Sequence, residues 1–254
     1  MADGHDAKRA LITGAGKRIG RALAEALGED GWSVAVHYRS SAKGAEETVS
    51  AIEAAGGQAV IVQGDLTEEK DLKALVPAAA GKLGGPLTLL VNSASTFEED
   101  TARDHDRQSW DLHFDANLRA PIALSQAFAN ALPGAQKGLV INLIDQRVWK
   151  LNPQFFTYTL SKAALLTATQ TLAQALAPNI RVNGIGPGPT LKSVHQSEEE
   201  FEAERRATLT EEGSRPEEIV RAMRYLIAAD SVTGQMLAPD GGQHLMWQTP
   251  DTQV

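Results

Sequence analysis

Tyr158 and Lys162 stand four positions apart in the segment Tyr158-Thr159-Leu160-Ser161-Lys162, and Asp145 lies thirteen positions upstream. Residues at i and i+4 share one face of a helix. On that face an ammonium held beside a phenol favours the phenolate and lowers a reference pKa of about 10. The pair therefore reads as a proton donor tuned toward neutral pH. Taken alone, the spacing also suits an ordinary helix with a half-buried ring and a solvated lysine. Asp145 adds a carboxylate that accepts hydrogen bonds and becomes a donor itself where burial raises its pKa.

A second constellation lies near the start of the chain. Residues 9–13 read as a short apolar strand, followed by Gly14-Ala15-Gly16-Lys17-Arg18-Ile19-Gly20 and an alanine-rich amphipathic helix over 21–28. Strand, glycine turn and helix together aim free N–H groups at a phosphate. The next strand ends in His37-Tyr38-Arg39-Ser40, with no acid nearby to bind a ribose hydroxyl. Arg39 and Ser40, reinforced by Arg18, suit a 2′-phosphate, so NADP(H) is expected rather than NAD(H). His37 either helps that phosphate or satisfies its own neighbours.

Short apolar runs alternate with amphipathic stretches along the whole chain, which predicts βαβ units. The fold class is α/β, a Rossmann-type doubly wound parallel sheet with helices on both faces. Strands are expected over 9–13, 33–38, 58–63, 87–92, 139–144, 181–184 and 236–238. Helices are expected over 21–28, 44–55, 69–80, 108–131, 158–177 and 216–228. In such sheets ligands bind beyond the carboxyl ends of the strands, where all the groups above fall. No composition break divides the 254 residues, so one domain over 1–254 is expected. The charged run 198–206, inside an irregular stretch at 189–213, reads as a solvated helix.

Composition excludes several function classes. With 24 Lys+Arg against 32 Asp+Glu, the formal charge of −8 disfavours nucleic acid and anionic membrane surfaces as partners. There is no cysteine, hence no disulfide framework, thiolate nucleophile or zinc-thiolate site. No apolar run approaches the roughly 20 residues of a membrane span. The polar, acidic residues 1–6 are unlike a signal or transit peptide, so a cytoplasmic location is expected. His105 among Asp104 and Asp106, and His113 near Asp111 and Asp115, form no convincing metal constellation and read as solvated; no metal is expected.

Matching motifs occur in order: Thr13-Gly14 through Gly20, Asp65-Leu66, Asn92-Ser93-Ala94, Asn117, Tyr158 with Lys162, and Pro187-Gly188. On these the sequence resembles the short-chain dehydrogenase/reductase family from about residue 8 to residue 245. Two departures stand out, since Arg18 replaces the middle glycine of the family turn and Asp145 replaces its catalytic serine. Both look like the pteridine reductase branch, as does Phe97, which matches a position that stacks a pterin there.

The resemblance implies that Gly14, Lys17, Arg18, Ile19, Gly20, Asn92, Ser93, Ala94, Pro187 and Gly188 hold the cofactor. Asp65 would accept from the adenine amino group beside Leu66, and Lys162 would bind the nicotinamide ribose. Asn117 resembles the family's helix-kinking asparagine, which anchors a water leading to Lys162. Arg18 and Ser95 would touch cofactor phosphate, the pterin or both, and residues 189–213 would form a lid. Trp149, Leu151, Phe155 and Phe156 either wall the pocket or pack beside a helix start. Leu191 and residues 243–247 are weaker lining candidates. Related enzymes are homotetramers built through the helices at 108–131 and 158–177.

Three readings follow: an NADPH-dependent pteridine reductase acting on a dihydropterin or dihydrofolate, a carbonyl reductase of the same family, and a non-enzymatic NADP sensor. An ionised carboxylate at 145 would repel a developing oxyanion, which favours the first over the second. Retention of Tyr158, Lys162 and Asn117 together disfavours the third.

Overall fold

The computed structural model of the chain describes residues 8–134, 136–193 and 196–247. The expectation made for residues 1–6 lies outside the described residues, as do positions 194 and 195 of the 189–213 stretch. The strands are β1 (Arg9–Ile12), β2 (Ser33–Tyr38), β3 (Gln58–Gln63), β4 (Leu89–Asn92), β5 (Gly138–Leu143), β6 (Ile180–Ile185) and β7 (Met236–Leu237). They form one parallel seven-stranded sheet in the order β3-β2-β1-β4-β5-β6-β7. The order reverses between β1 and β4, where Ile12 pairs with both Val36 and Val91.

Alternation along β1 explains both layers. Ala10 and Ile12 point into a core with Leu23 and Leu27 of α1 (Arg18–Glu29), Ile52 of α2 (Ala42–Ala54) and, further along the chain, Ile219 and Met223. Leu11 points the other way, toward Leu72 and Leu75 of α3 (Glu69–Lys82) and, later, Leu124 and Phe128. Because both faces are buried, the strands read as nearly unbroken apolar runs.

The helix expected over 108–131 is corrected to three pieces: α4 (Arg107–Phe114), a wide π-turn (Asp115–Arg119) and α5 (Ala120–Ala131). Pro121 has no N–H to offer the Asn117 carbonyl four residues earlier, so the α ladder widens there. A short 3-10 turn (Gln146–Val148) follows β5 and precedes α6 (Phe156–Leu176), which carries Tyr158 and Lys162. The charged run folds as α7 (Glu198–Arg206) with a Ser197 capping box, and only Phe201 is buried on it. The helix α8 (Pro216–Ala228) and a 3-10 turn (Gln243–Leu245) complete the described elements. No helix among the described residues is long and apolar enough to cross a membrane.

Candidate active site

A cleft of about 930 Å³ runs across the carboxyl ends of the strands at the switch point. At one end the turn from β1 to α1 is built for close approach. A Cβ on Gly14, whose φ is +67°, would sit 2.9 Å from Ala94 Cα, and one on Gly20 would sit 2.4 Å from the Gly14 oxygen. The N-terminus of α1 has no side-chain cap and no acid in its first turn, leaving its amides for an anion. Thr13 Oγ1 accepts from the Ser93 and Ala94 amides at 2.9 and 3.0 Å, tying β1 to the loop after β4.

Arg18 occupies left-handed backbone at φ +54°, conformational space that glycine enters more easily. Its guanidinium reaches across the cleft and donates to the Leu191 and Lys192 carbonyls at 3.0 and 2.8 Å. Arg39 and Ser40 are exposed at the rim beyond β2 and line the same cleft. Asp65 takes the Thr67 amide and hydroxyl on one oxygen at 3.0 and 2.7 Å. Burial pushes its pKa up, but the Thr67 bonds and the Arg39 charge outweigh this and hold it below its ordinary value. These residues fit a phosphorylated dinucleotide, with amides at the glycine turn and a cation at the end of β2.

His37 takes the second of its two expected roles. It is buried, its Nδ1 accepts from the Gly14 amide at 3.1 Å, and its Nε2 lies 3.1 Å from the Gly64 oxygen. Burial lowers its pKa to about 4, so the neutral ring braces the glycine turn and has no free nitrogen for phosphate. Asn92 is also corrected from a cofactor contact to a support. Its side chain is buried in the sheet and donates to Asn142 Oδ1 at 2.8 Å, outside the cleft lining. Ser93 and Ala94 do line the cleft, as do Lys17, Ile19, Leu66, Pro187 and Gly188.

At the other end, Asp145 leaves β5 in extended backbone and uses both carboxylate oxygens. Oδ1 caps the following turn through the Arg147 amide at 2.8 Å, and Oδ2 accepts from the Tyr158 hydroxyl at 2.8 Å. Burial pushes the Asp145 carboxyl up, against opposing effects of Arg147, Tyr158 and Lys162. Burial, then the charge and hydrogen bond of Asp145, push the Tyr158 phenol well above its ordinary value. The expectation of a phenol lowered by Lys162 is therefore corrected. Lys162 Nζ sits 5.7 Å from the Tyr158 ring centre and donates to the Leu143 carbonyl at 2.8 Å, while burial lowers its pKa to about 8. Because burial raises the Asp145 pKa, the carboxyl can take up a proton and pass it to the phenol oxygen as Tyr158 gives away its own, so that no anion is left at the phenol.

Asn117 is buried in the π-turn, outside the lining. Its Oδ1 accepts from Thr96 N–H at 2.9 Å and Ser95 Oγ at 3.0 Å, and its Nδ2 donates to Thr96 O and Ser161 Oγ. Phe97 stacks on Phe155 with ring centres 4.0 Å apart and an 11° tilt, and meets the Tyr158 ring edge-on at 4.7 Å and 81°. An aromatic wall thus stands beside the Tyr158 hydroxyl and its Asp145 partner.

A family model described as short chain dehydrogenase matches residues 8–203. The chain belongs to the short-chain dehydrogenase family. Crystal structures of FolM alternative dihydrofolate reductase 1 in complex with NADP are similar to it. That from Brucella suis has 49% identity and a TM-score of 0.92, covering 96% of this chain and 98% of its own. That from Brucella canis has 49% identity and a TM-score of 0.93, covering 97% of both chains. The 3beta-hydroxysteroid dehydrogenase 1 of Eggerthella lenta is 35% identical over 257 residues, covering 96% of this chain and 97% of its own.

One cleft residue of this short-chain dehydrogenase, Arg147, does not stand out in the sequence. Arg147 lines the cleft, stands 5.2 Å from the Phe155 ring and acts on both Asp145 and Tyr158 by charge. Its position just after the Asp145 cap is the signal that could have found it. Phe155 belongs to the cleft wall, whereas Trp149 and Leu151 are outside the lining and exposed. Phe156 packs toward His105, with ring centres 5.5 Å apart. Leu191 and Gln243 line the cleft; the others of 243–247 do not. His113, read as solvated, is corrected to fully buried beneath Tyr158. Among the described residues no group of three His, Cys, Asp or Glu could hold a metal ion.

Proposed function

We propose that the chain is an NADPH-dependent reductase of pteridines, of the dihydropterin or dihydrofolate type. The observation that carries this reading is the 2.8 Å hydrogen bond from Tyr158 to a carboxylate, Asp145, beside the Phe97 wall. The names of the two Brucella relatives and their bound NADP support it.

The cofactor, when bound, supplies a hydride. Arg39 and Ser40 hold its 2′-phosphate, and the amides of the Gly14 to Gly20 turn hold its pyrophosphate. Phe97 orients the flat substrate ring by stacking. Tyr158 gives its proton to the ring nitrogen and is re-protonated through Asp145, which takes a proton up from solvent and whose carboxylate excludes a substrate that must develop an oxyanion. Lys162 fixes the ribose and stays near the dyad. Arg18, bonded to the Leu191 and Lys192 carbonyls, ties that side of the cleft across its mouth, over the substrate.

A second reading, a carbonyl reductase, is favoured by the Eggerthella relative and by the Tyr158 and Lys162 pair that carbonyl reduction also uses. Asp145→Ser separates them. Under the first reading, pterin turnover falls while NADPH affinity stays, and ketone turnover rises from a low level. Ketone turnover that is already high in the wild type and is unaffected by the substitution favours the second.

A further inference from the structure

Beneath the aromatic wall lies a buried polar chain that the mechanism above does not use. Asp100, His113 of α4 and Thr157 in the first turn of α6 are all buried. The Glu98 amide donates to His113 Nε2 at 3.0 Å, so the neutral ring carries its proton on Nδ1. That proton is donated to Thr157 Oγ1 at 2.7 Å. The Thr157 hydroxyl donates in turn to Asp100 Oδ2, and Asp100 Oδ1 accepts the Thr157 amide at 3.0 Å. Phe156 N–H adds a bond to the Asp100 carbonyl at 3.1 Å. Every proton in this chain has one direction, ending on a carboxylate.

Its ends coincide with the two groups that meet substrate. The Glu98 and Asp100 links pin the loop directly after Phe97. Thr157 precedes Tyr158, at a helix start whose own N-cap residue, Phe155, makes no side-chain cap. The His113 ring lies edge-on beneath the Tyr158 ring at 5.9 Å and 73°. The charged groups acting on His113 are Asp100, Glu98 and Lys162.

We propose that Asp100, Thr157 and His113 are positioning residues that set the separation between the Phe97 ring and the Tyr158 hydroxyl, and so the fit of a planar substrate. The substrate part rests on the pteridine reading; the geometric part does not. Thr157→Val removes the hydroxyl at nearly constant shape, and Thr157→Ser restores it. Thr157→Val should raise the KM for dihydropterin about ten-fold, the size of one net hydrogen bond, with NADPH Kd unchanged. Thr157→Ser should stay close to wild type. An unchanged pterin KM in Thr157→Val, an equal loss of NADPH affinity, or a serine variant as impaired as the valine overturns the proposal.

Nitrogen NMR of the free wild-type protein supplies a readout that needs no substrate and no variant fold. A neutral Nδ1–H ring at His113 near pH 7 is expected; an Nε2–H or protonated ring overturns the relay. That tautomer in a protein inactive on pterins would sink the pteridine reading and leave the relay standing.

Discussion

Replacing Asp145 by asparagine keeps the side chain's shape and removes one of two acceptors. The carboxylate uses Oδ1 for the Arg147 amide and Oδ2 for the Tyr158 hydroxyl, both at 2.8 Å. An amide has one oxygen, so one of these donors must face an NH2 group instead. The 3-10 turn is short and its cap local, so the oxygen stays with Arg147 and the tyrosine hydroxyl loses its acceptor, facing an NH2 group that can only donate to it. A hydrogen bond to a charged group contributes about 1.5–3 kcal/mol net. At about 1.36 kcal/mol per decade, kcat with a dihydropterin should fall roughly ten- to 150-fold. NADPH affinity, set some distance away by Arg39 and the glycine turn, should hold within about two-fold. Burial already penalises the Asp145 charge, so thermal stability should be retained or should rise. The assay is steady-state NADPH oxidation at saturating pterin, paired with a fluorescence titration of NADPH. A kcat within about two-fold of wild type refutes the dyad, and equal losses of kcat and NADPH affinity would make Asp145 structural.

Arg39→Ala should weaken NADPH binding by roughly ten-fold or more while leaving NADH nearly unchanged; an unaltered preference in paired titrations would show that the end of β2 does not read the 2′-phosphate. Lys162 has a folded pKa of about 8 against 10.5 in the open chain. Between those values the unfolded state binds more protons, so stability should rise with pH across this window in wild type and not in Lys162→Met, as followed by urea unfolding. Turnover that needs the ammonium should fall as pH rises through about 8, and a flat profile to pH 10 would contradict that role. His37 shows the same sign at lower pH. Its pKa drops from 6.5 to about 4, so folding stability should be lost as pH falls between them, by about 3 kcal/mol. His37→Leu should flatten that limb while leaving the Gly14 amide and Gly64 carbonyl unpaired, which lowers the melting temperature at pH 7.

The strand ends were legible because a parallel sheet covered on both faces writes itself as apolar runs with motifs after each one. The glycine turn, Asp65, Ser93, Asp145 and Pro187 all follow a strand, and the sheet brings those ends together. The break within 108–131 was present in the sequence as Pro121, but amphipathic periodicity on both sides masked it. Tertiary contacts hid the rest. His113 between acids looks solvated until α6 covers it with Thr157 and Tyr158. The i,i+4 spacing of Tyr158 and Lys162 placed them on one face, yet the ammonium is drawn to Leu143 O on β5, a partner that helical spacing does not show. Phe155 holds φ +53° without being glycine, and its stacking on Phe97, with Arg147 over the ring, holds it in the wall.

A carboxylate-backed tyrosine beside an aromatic wall is the feature on which the proposed pterin site rests. Its most direct test is NADPH oxidation by the purified protein with dihydrobiopterin, dihydromonapterin and dihydrofolate, run beside an acetoacetyl thioester and a small diketone panel. Turnover confined to the pterins is the predicted result, and turnover confined to the carbonyl compounds would contradict it.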